Sequence, residues 1–274
     1  MHVDAHRASV AGFREVRVEL DRGLDHPAYL ASMRPVEAVV WDYGGVISSP
    51  LFRGIGRFEA DLGYPPGSIL ELLFGESAYI GVEGRAVTGG DPMDGAAPAD
   101  AQAVTHDWHR LETGEITLDE YLADVIERAP AVLGQPIDLE AYHRFTREMP
   151  IGIHWPVVHR IRRLKADGLK VALLTNNVKE FGDAWRSTFP VDELFEVVVD
   201  SSAVGVRKPD PEIYLITCER IGVEPGAAVF LDDNYDNVAA ARAVGMDAIQ
   251  FDDDPWVALA ELDAILDRRG TRPS

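Results

Sequence analysis

The 274-residue chain carries 26 basic against 46 acidic residues, a formal net charge of -20. A field of that sign repels nucleic acid and anionic membrane surfaces, so neither is expected as a partner, while a locally positive pocket still leaves room for a small anionic substrate. A single cysteine, Cys218, excludes an intrachain disulfide, and no apolar run approaches a membrane span, so a cytoplasmic protein with a substantial core is expected.

Residues 1–34 show neither helical nor strand periodicity and read as an N-terminal extension. The first convincing element is 36–41, Val-Glu-Ala-Val-Val-Trp, an apolar run of the kind seen in strands buried on both faces. It stops at Asp42, and Gly44 and Gly45 follow. A carboxylate at the C-terminal end of such a strand lies where open α/β sheets bind their ligands. Two glycines let the backbone turn sharply and bring N–H groups to an anion. Asp-x-Gly-Gly is equally ordinary turn chemistry, so both readings stand at this point.

From 50 to 154 the pattern is helical. Leu51, Ile55, Phe58 and Leu62 recur at helical spacing, and a second apolar stretch covers 69–74. Gly, Ala, Pro and Asp dominate 84–99, which reads as a long loop. Helical spacing resumes through Trp108 and Leu111. Thr117-Leu-Asp-Glu120 has the form of a capping box opening another helix, and a final helix is expected over 138–147.

From Trp155 onward strands and helices alternate. A helix through Val158, Ile161 and Leu164 precedes a strand at 170–175 and a helix at 179–187. Strands at 195–199, 228–231 and 248–251 follow, with helices at 210–221, 237–244 and 255–267. Such alternation predicts an α/β fold, a Rossmann-like parallel sheet flanked by helices. Residues 35–49 and 155–274 then form one core domain, and 50–154 form an inserted all-helical cap over the strand ends.

The strand ends carry the chemistry. The first presents Asp42, and the next presents Thr175 and Asn176 at a helix start, where donors favour an anion. Lys208 stands between glycine and prolines just ahead of a helix, and a later strand ends in Asp232-Asp233. Carboxylates facing one another need a cation, and oxygen-only ligands suit Mg²⁺. Taken singly, the Asp-Asp pair is also a helix cap, Lys208 a solvated charge and Thr175 a cap. Cys218 falls in a helical pattern and reads as a buried small hydrophobe.

Four stretches in this order resemble the haloacid dehalogenase superfamily, in the branch with a helical cap inserted after the first motif. They are Val-Val-Trp-Asp42-Tyr-Gly-Gly-Val, Leu-Leu-Thr175-Asn176, Val-Arg-Lys208-Pro-Asp-Pro and Phe-Leu-Asp232-Asp233. The resemblance implies that Asp42 is a nucleophile forming an aspartyl-phosphate on a small phosphorylated substrate. Mg²⁺ would be held by Asp42, the Gly44 carbonyl and Asp233, with Asp232 acting through water. Lys208 would offset charge on the transferring group, while Thr175, Asn176 and the loop N–H groups at Gly44 and Gly45 would bind phosphoryl oxygens.

One departure from the family pattern is plain. Phosphatases of the superfamily usually carry a second aspartate two positions after the nucleophile, and here that position is Gly44. Sugar-1-phosphate phosphatases resemble the chain in this Asp-x-Gly motif. Either the substrate has a good leaving group, or His106, His109 or a cap glutamate supplies the proton. A 2-haloacid dehalogenase and a non-catalytic binding protein on the same scaffold are the alternatives. Arg53 and Arg57, on one face of the first cap helix, are expected to bind a second anionic group or to form a solvated face. His154 and Trp155 mark the return to the core as a hinge.

Overall fold

The computed structural model describes residues 34–50, 54–75, 107–148, 151–182, 185–252 and 254–272. Strand β1 (Ala38–Trp41) is followed by helices α1 (Ile55–Leu62), α2 (Ser68–Phe74), α3 (Asp107–Glu112), α4 (Leu118–Leu133) and α5 (Leu139–Glu148). Then come α6 (Trp155–Ala166), β2 (Lys170–Thr175), α7 (Val191–Leu194), β3 (Val197–Asp200), α8 (Ser201–Val204) and α9 (Pro211–Ile221). The chain closes with β4 (Ala228–Asp232), α10 (Tyr235–Ala243), β5 (Asp247–Gln250) and α11 (Pro255–Arg269). The five strands form one parallel sheet in the order β3-β2-β1-β4-β5.

Alternation along the strands splits the core into two layers. Val39, Trp41, Val171, Leu173, Val229, Leu231 and Ile249 pack with α6 and α11 on one face. Ala38, Val40, Ala172, Leu174, Val199, Phe230 and Ala248 pack with α9 and α10 on the other. Because β1 is central and buried on both faces, it reads as an unbroken apolar run rather than an alternating one. Cys218 lies buried in the second layer, where burial pushes its thiol up to about 11.

The helices between β1 and α6 build a third apolar cluster from Ile55, Phe58, Ile69, Leu72, Leu111, Tyr121 and Val125, joined by Val178 from just beyond β2. Thr117 caps α4 in the predicted box, its hydroxyl accepting from the Glu120 N–H while the Glu120 carboxylate accepts from the Thr117 N–H. The two chain crossings into and out of this segment lie side by side. Ser48 bridges Ile153, Ser49 N–H donates to the Gly152 carbonyl, and His154 N–H donates to the Ile47 carbonyl.

The expected helix over 179–187 is replaced by two single 3-10 turns, Lys179–Phe181 and Trp185–Ser187. Gly182, at φ 53° and ψ -143°, interrupts the run, and the stretch lacks the apolar spacing that would seat a full helix. Conversely, α7 and α8 were not expected, because single turns leave no period to read. The expectations for 1–33, Leu51, Arg53, the 84–99 loop and His106 lie outside the described residues.

Glu59 shows how α1 and α2 are fastened. Its buried carboxylate accepts from Gly67 N at 2.7 Å and Ile69 N at 2.8 Å, capping α2 from the neighbouring helix. Glu59→Ala leaves both donors unpaired and should lower stability by about 1–3 kcal/mol. Urea unfolding should show a lower midpoint at an unchanged slope.

Candidate active site

The titratable groups gather at the carboxyl ends of β1, β2 and β4. Asp42 and Asp232 keep the strand parity of Val40 and Phe230, so they continue the face that α9 and α10 cover. Lys208, just ahead of α9, enters from that side. Its buried ammonium lies 2.7 Å from Asp42 Oδ1 and 2.6 Å from Asp232 Oδ2, and donates to the Leu174 carbonyl at 3.2 Å. All three ammonium hydrogens are therefore used. Burial works against the charged lysine, but the Asp232 and Asp42 carboxylates outweigh it and hold its pKa above the ordinary lysine range.

The two adjacent aspartates differ in environment. Asp232 is fully buried, with Oδ2 on Lys208 and Oδ1 accepting from Asn234 N at 2.8 Å and Asn237 Nδ2 at 3.0 Å. Asp233 turns toward the loop after β1 and packs on the α-carbon of Gly45. A Cβ built there would overlap its carboxylate, and Gly45 also has φ of 73°. Glycine is required at 45 on both counts. Gln250, at the end of β5, donates to the Asp233 carbonyl at 2.6 Å and fixes this loop from the far side.

Asp42, Asp232 and Asp233 each offer a carboxylate oxygen within 4.8 Å of the other two. A cluster of oxygen donors this close matches the ligand chemistry of a hard divalent cation. Burial pushes the Asp42 carboxyl up to about 7 against the pull of the Lys208 ammonium, with the Asp232 carboxylate adding to the rise. Burial also raises Asp233, helped by the Asp232 and Asp42 carboxylates.

The other residues singled out in the sequence fall as follows. Thr175 is buried at the end of β2, and its hydroxyl donates to the Asn176 carbonyl at 3.2 Å. The Asn176 amide bonds the backbone of Lys208 at both ends, donating to its carbonyl at 3.0 Å and accepting from its N–H at 2.9 Å. Gly44 has open space where a side chain would go. Arg57 is largely exposed and lies 3.8 Å from Asp61, one turn along its own helix. His109 lines a cleft of about 340 Å³ with Thr113, Glu115, Arg207, Pro209 and Asp210. The carboxylate cluster is not part of that cleft's wall.

Two residues that sequence reasoning missed stand beside the site. Arg207 Nε donates to Glu112 Oε2 at 2.7 Å, across 95 positions of sequence, and Glu112 is nearly buried. Arg207 was visible as the neighbour of Lys208 in its motif. Glu112 carries no local signal.

The haloacid dehalogenase-like hydrolase family model matches residues 35–245. The chain belongs to the haloacid dehalogenase-like hydrolases. It is 33% identical over 218 residues to a phosphoglycolate phosphatase of Thiobacillus denitrificans, an alignment covering 77% of this chain and 81% of that one. Acyl-CoA dehydrogenase family member 10 of Mus musculus is 29% identical over 236 residues, which is 85% of this chain and 19% of the mouse protein. The chain therefore spans about a fifth of that relative. In fold it is similar to a HAD family enzyme of Bacteroides thetaiotaomicron solved with magnesium and inorganic phosphate, with TM-score 0.53 and 19% identity over 80% of this chain and 97% of that one.

The raised Asp42 pKa makes the stability of the metal-free protein depend on pH in a defined direction. A carboxyl that titrates higher when folded holds its proton longer in the native state, so stability falls as pH rises. The window runs from the unfolded value of about 4 to the folded value of about 7. In EDTA, wild-type protein should lose stability across that window relative to Asp42→Asn. Thermal midpoints whose difference stays flat or reverses would contradict the assignment.

Proposed function

We propose that the protein is a Mg²⁺-dependent phosphatase acting on a small phosphorylated metabolite through an aspartyl-phosphate on Asp42. The observation that carries this reading is the buried Asp42–Lys208–Asp232 triad with Asp233 beside it. A nucleophilic carboxylate must be ionised, and Lys208 at 2.7 Å opposes the effect of burial on Asp42. The phosphoglycolate phosphatase relative and the structural neighbour solved with magnesium and phosphate support the same class.

Asp42, the Gly44 carbonyl and Asp233 would hold the Mg²⁺, with Asp232 behind them. Bound there, the ion offsets phosphoryl charge that three carboxylates would otherwise repel. Asp42 Oδ attacks phosphorus and the ester P–O bond breaks, its electron pair leaving with the alcohol oxygen. A water molecule then attacks the same phosphorus, which releases phosphate and restores the Asp42 carboxylate. Lys208 keeps one Asp42 oxygen fixed and neutralises charge in both displacements. Thr175 and the Gly44–Gly45 loop bind the phosphoryl oxygens. The helical segment between β1 and α6 serves as the cap that shapes specificity and excludes water.

Gly44 leaves no general acid at the position where related phosphatases carry aspartate, so the reading favours substrates whose leaving group needs no proton, such as anomeric or acyl phosphates. The open space at Gly44, with no strained φ, makes Gly44→Asp sterically tolerable. That variant should speed hydrolysis of plain alkyl phosphates, by up to about 10²–10⁴-fold. Phosphate release should be assayed over acyl, anomeric, aryl and alkyl esters, with Mg²⁺ or EDTA. Asp42→Asn should abolish it. Release that survives Asp42→Asn, or none from any ester, would overturn the proposal.

A further inference from the structure

The structure places Glu112 in a closed ring of bonds around Lys208. Glu112 Oε2 accepts from Arg207 Nε at 2.7 Å, and Arg207 is covalently next to Lys208. Lys208 is held at both backbone ends by the Asn176 amide, and Asn177 follows Asn176 in the chain. Asn177 N donates to Ser201 Oγ at 3.0 Å, and Ser201 Oγ donates to the Glu112 carbonyl at 2.7 Å. The circuit returns to the residue where it began.

Five of its six members belong to the loop after β2, the start of α8 and the approach to α9. Glu112, the last residue of α3, is the single member from the helical segment between β1 and α6. Its carboxylate also accepts from the Trp108 indole, so it is engaged from both the helical segment and the core. With Arg207 and Trp108 donating to it, this carboxylate is an anchor and is not aimed at a reacting group. The backbones meet closely here as well. A Cβ on Gly114 would come within 3.3 Å of the Ser202 carbonyl.

We infer that Glu112 is a positioning residue for Lys208, tying the seating of the helical segment on the sheet to the placement of the catalytic ammonium. The effect on rate rests on the phosphatase reading, whereas the effect on Lys208 does not. When the ring opens, the Lys208 backbone keeps only its Asn176 clamp, and its ammonium moves relative to Asp42. A displacement of that kind weakens transition-state charge stabilisation while leaving ground-state binding intact.

The test opens the ring at two places. Glu112→Ala removes the acceptor that anchors Arg207, and Ser201→Ala removes the hydroxyl on the opposite side. The Lys208 ammonium resonance is followed in proton–nitrogen correlation spectra, assigned by its loss in Lys208→Met. Each variant should shift that resonance and lower kcat by about 10-fold to 100-fold with KM unchanged. The double variant should lose no more than the worse single one, since a ring opens once. An unmoved resonance in both variants would overturn the inference, as would a raised KM at unchanged kcat. If wild type releases no phosphate from any ester yet the resonance moves, the phosphatase reading falls and the positioning role stands.

Discussion

The rest of the site depends on one buried ammonium between two buried carboxylates. Lys208 Nζ sits within 2.7 Å of both Asp42 and Asp232, and none of the three side chains is more than one-tenth exposed. Removing one partner of a buried ion pair costs about 3–5 kcal/mol, because the other charge is left without compensation. Here the loss of Lys208 would strand two carboxylates facing each other. Its structural role and the chemical role proposed for it are therefore inseparable, and a lysine variant that loses activity says little about mechanism. Much of the surrounding structure serves to keep that ammonium in place. Asn176 clamps its backbone, Asn237 and Asn234 fix the far side of Asp232, and the Leu174 carbonyl takes the third hydrogen.

The sheet explains why these groups meet. Central strands β1 and β4 pair in register, Trp41 beside Leu231, so Asp42 just after β1 and Asp232 at the end of β4 stand at one level. Strand parity then sends Asp42 and Asp232 to the same face. Asp233 breaks that parity and reaches back over Gly45, which has to be glycine for the approach to occur. One position gives two adjacent aspartates two different environments, one locked behind Lys208 and one turned toward the loop.

The strands, the parallel sheet and the four motifs were legible because each leaves a local mark: an apolar run, a glycine pair, a proline at a helix start. The Thr117–Glu120 box was legible for the same reason. What escaped has no local mark. Glu112 is one glutamate among many until the fold sets it against Arg207, and the different partners of Asp232 and Asp233 follow from strand parity and loop geometry rather than residue type. The stretch 179–187 was misread as a helix because its composition permits one, whereas Gly182 and the lack of an apolar stripe do not. Arg57, read either as an anion binder or as part of a solvated helix face, lies exposed beside Asp61.

On the proposed mechanism, Asp42 carries a phosphoryl group which water then removes by attacking phosphorus. The direct measurement is many turnovers of an acyl or anomeric phosphate in heavy-oxygen water, followed by mass spectrometry of released phosphate and of the peptide containing Asp42. Label in the phosphate with none in Asp42, together with a phosphoryl group on that peptide after acid quench, is the predicted result. Heavy oxygen accumulating in the Asp42 carboxylate would mean that water attacks the Asp42 carbonyl carbon, which contradicts attack at phosphorus, and a peptide without a phosphoryl group after acid quench would contradict its carriage on Asp42.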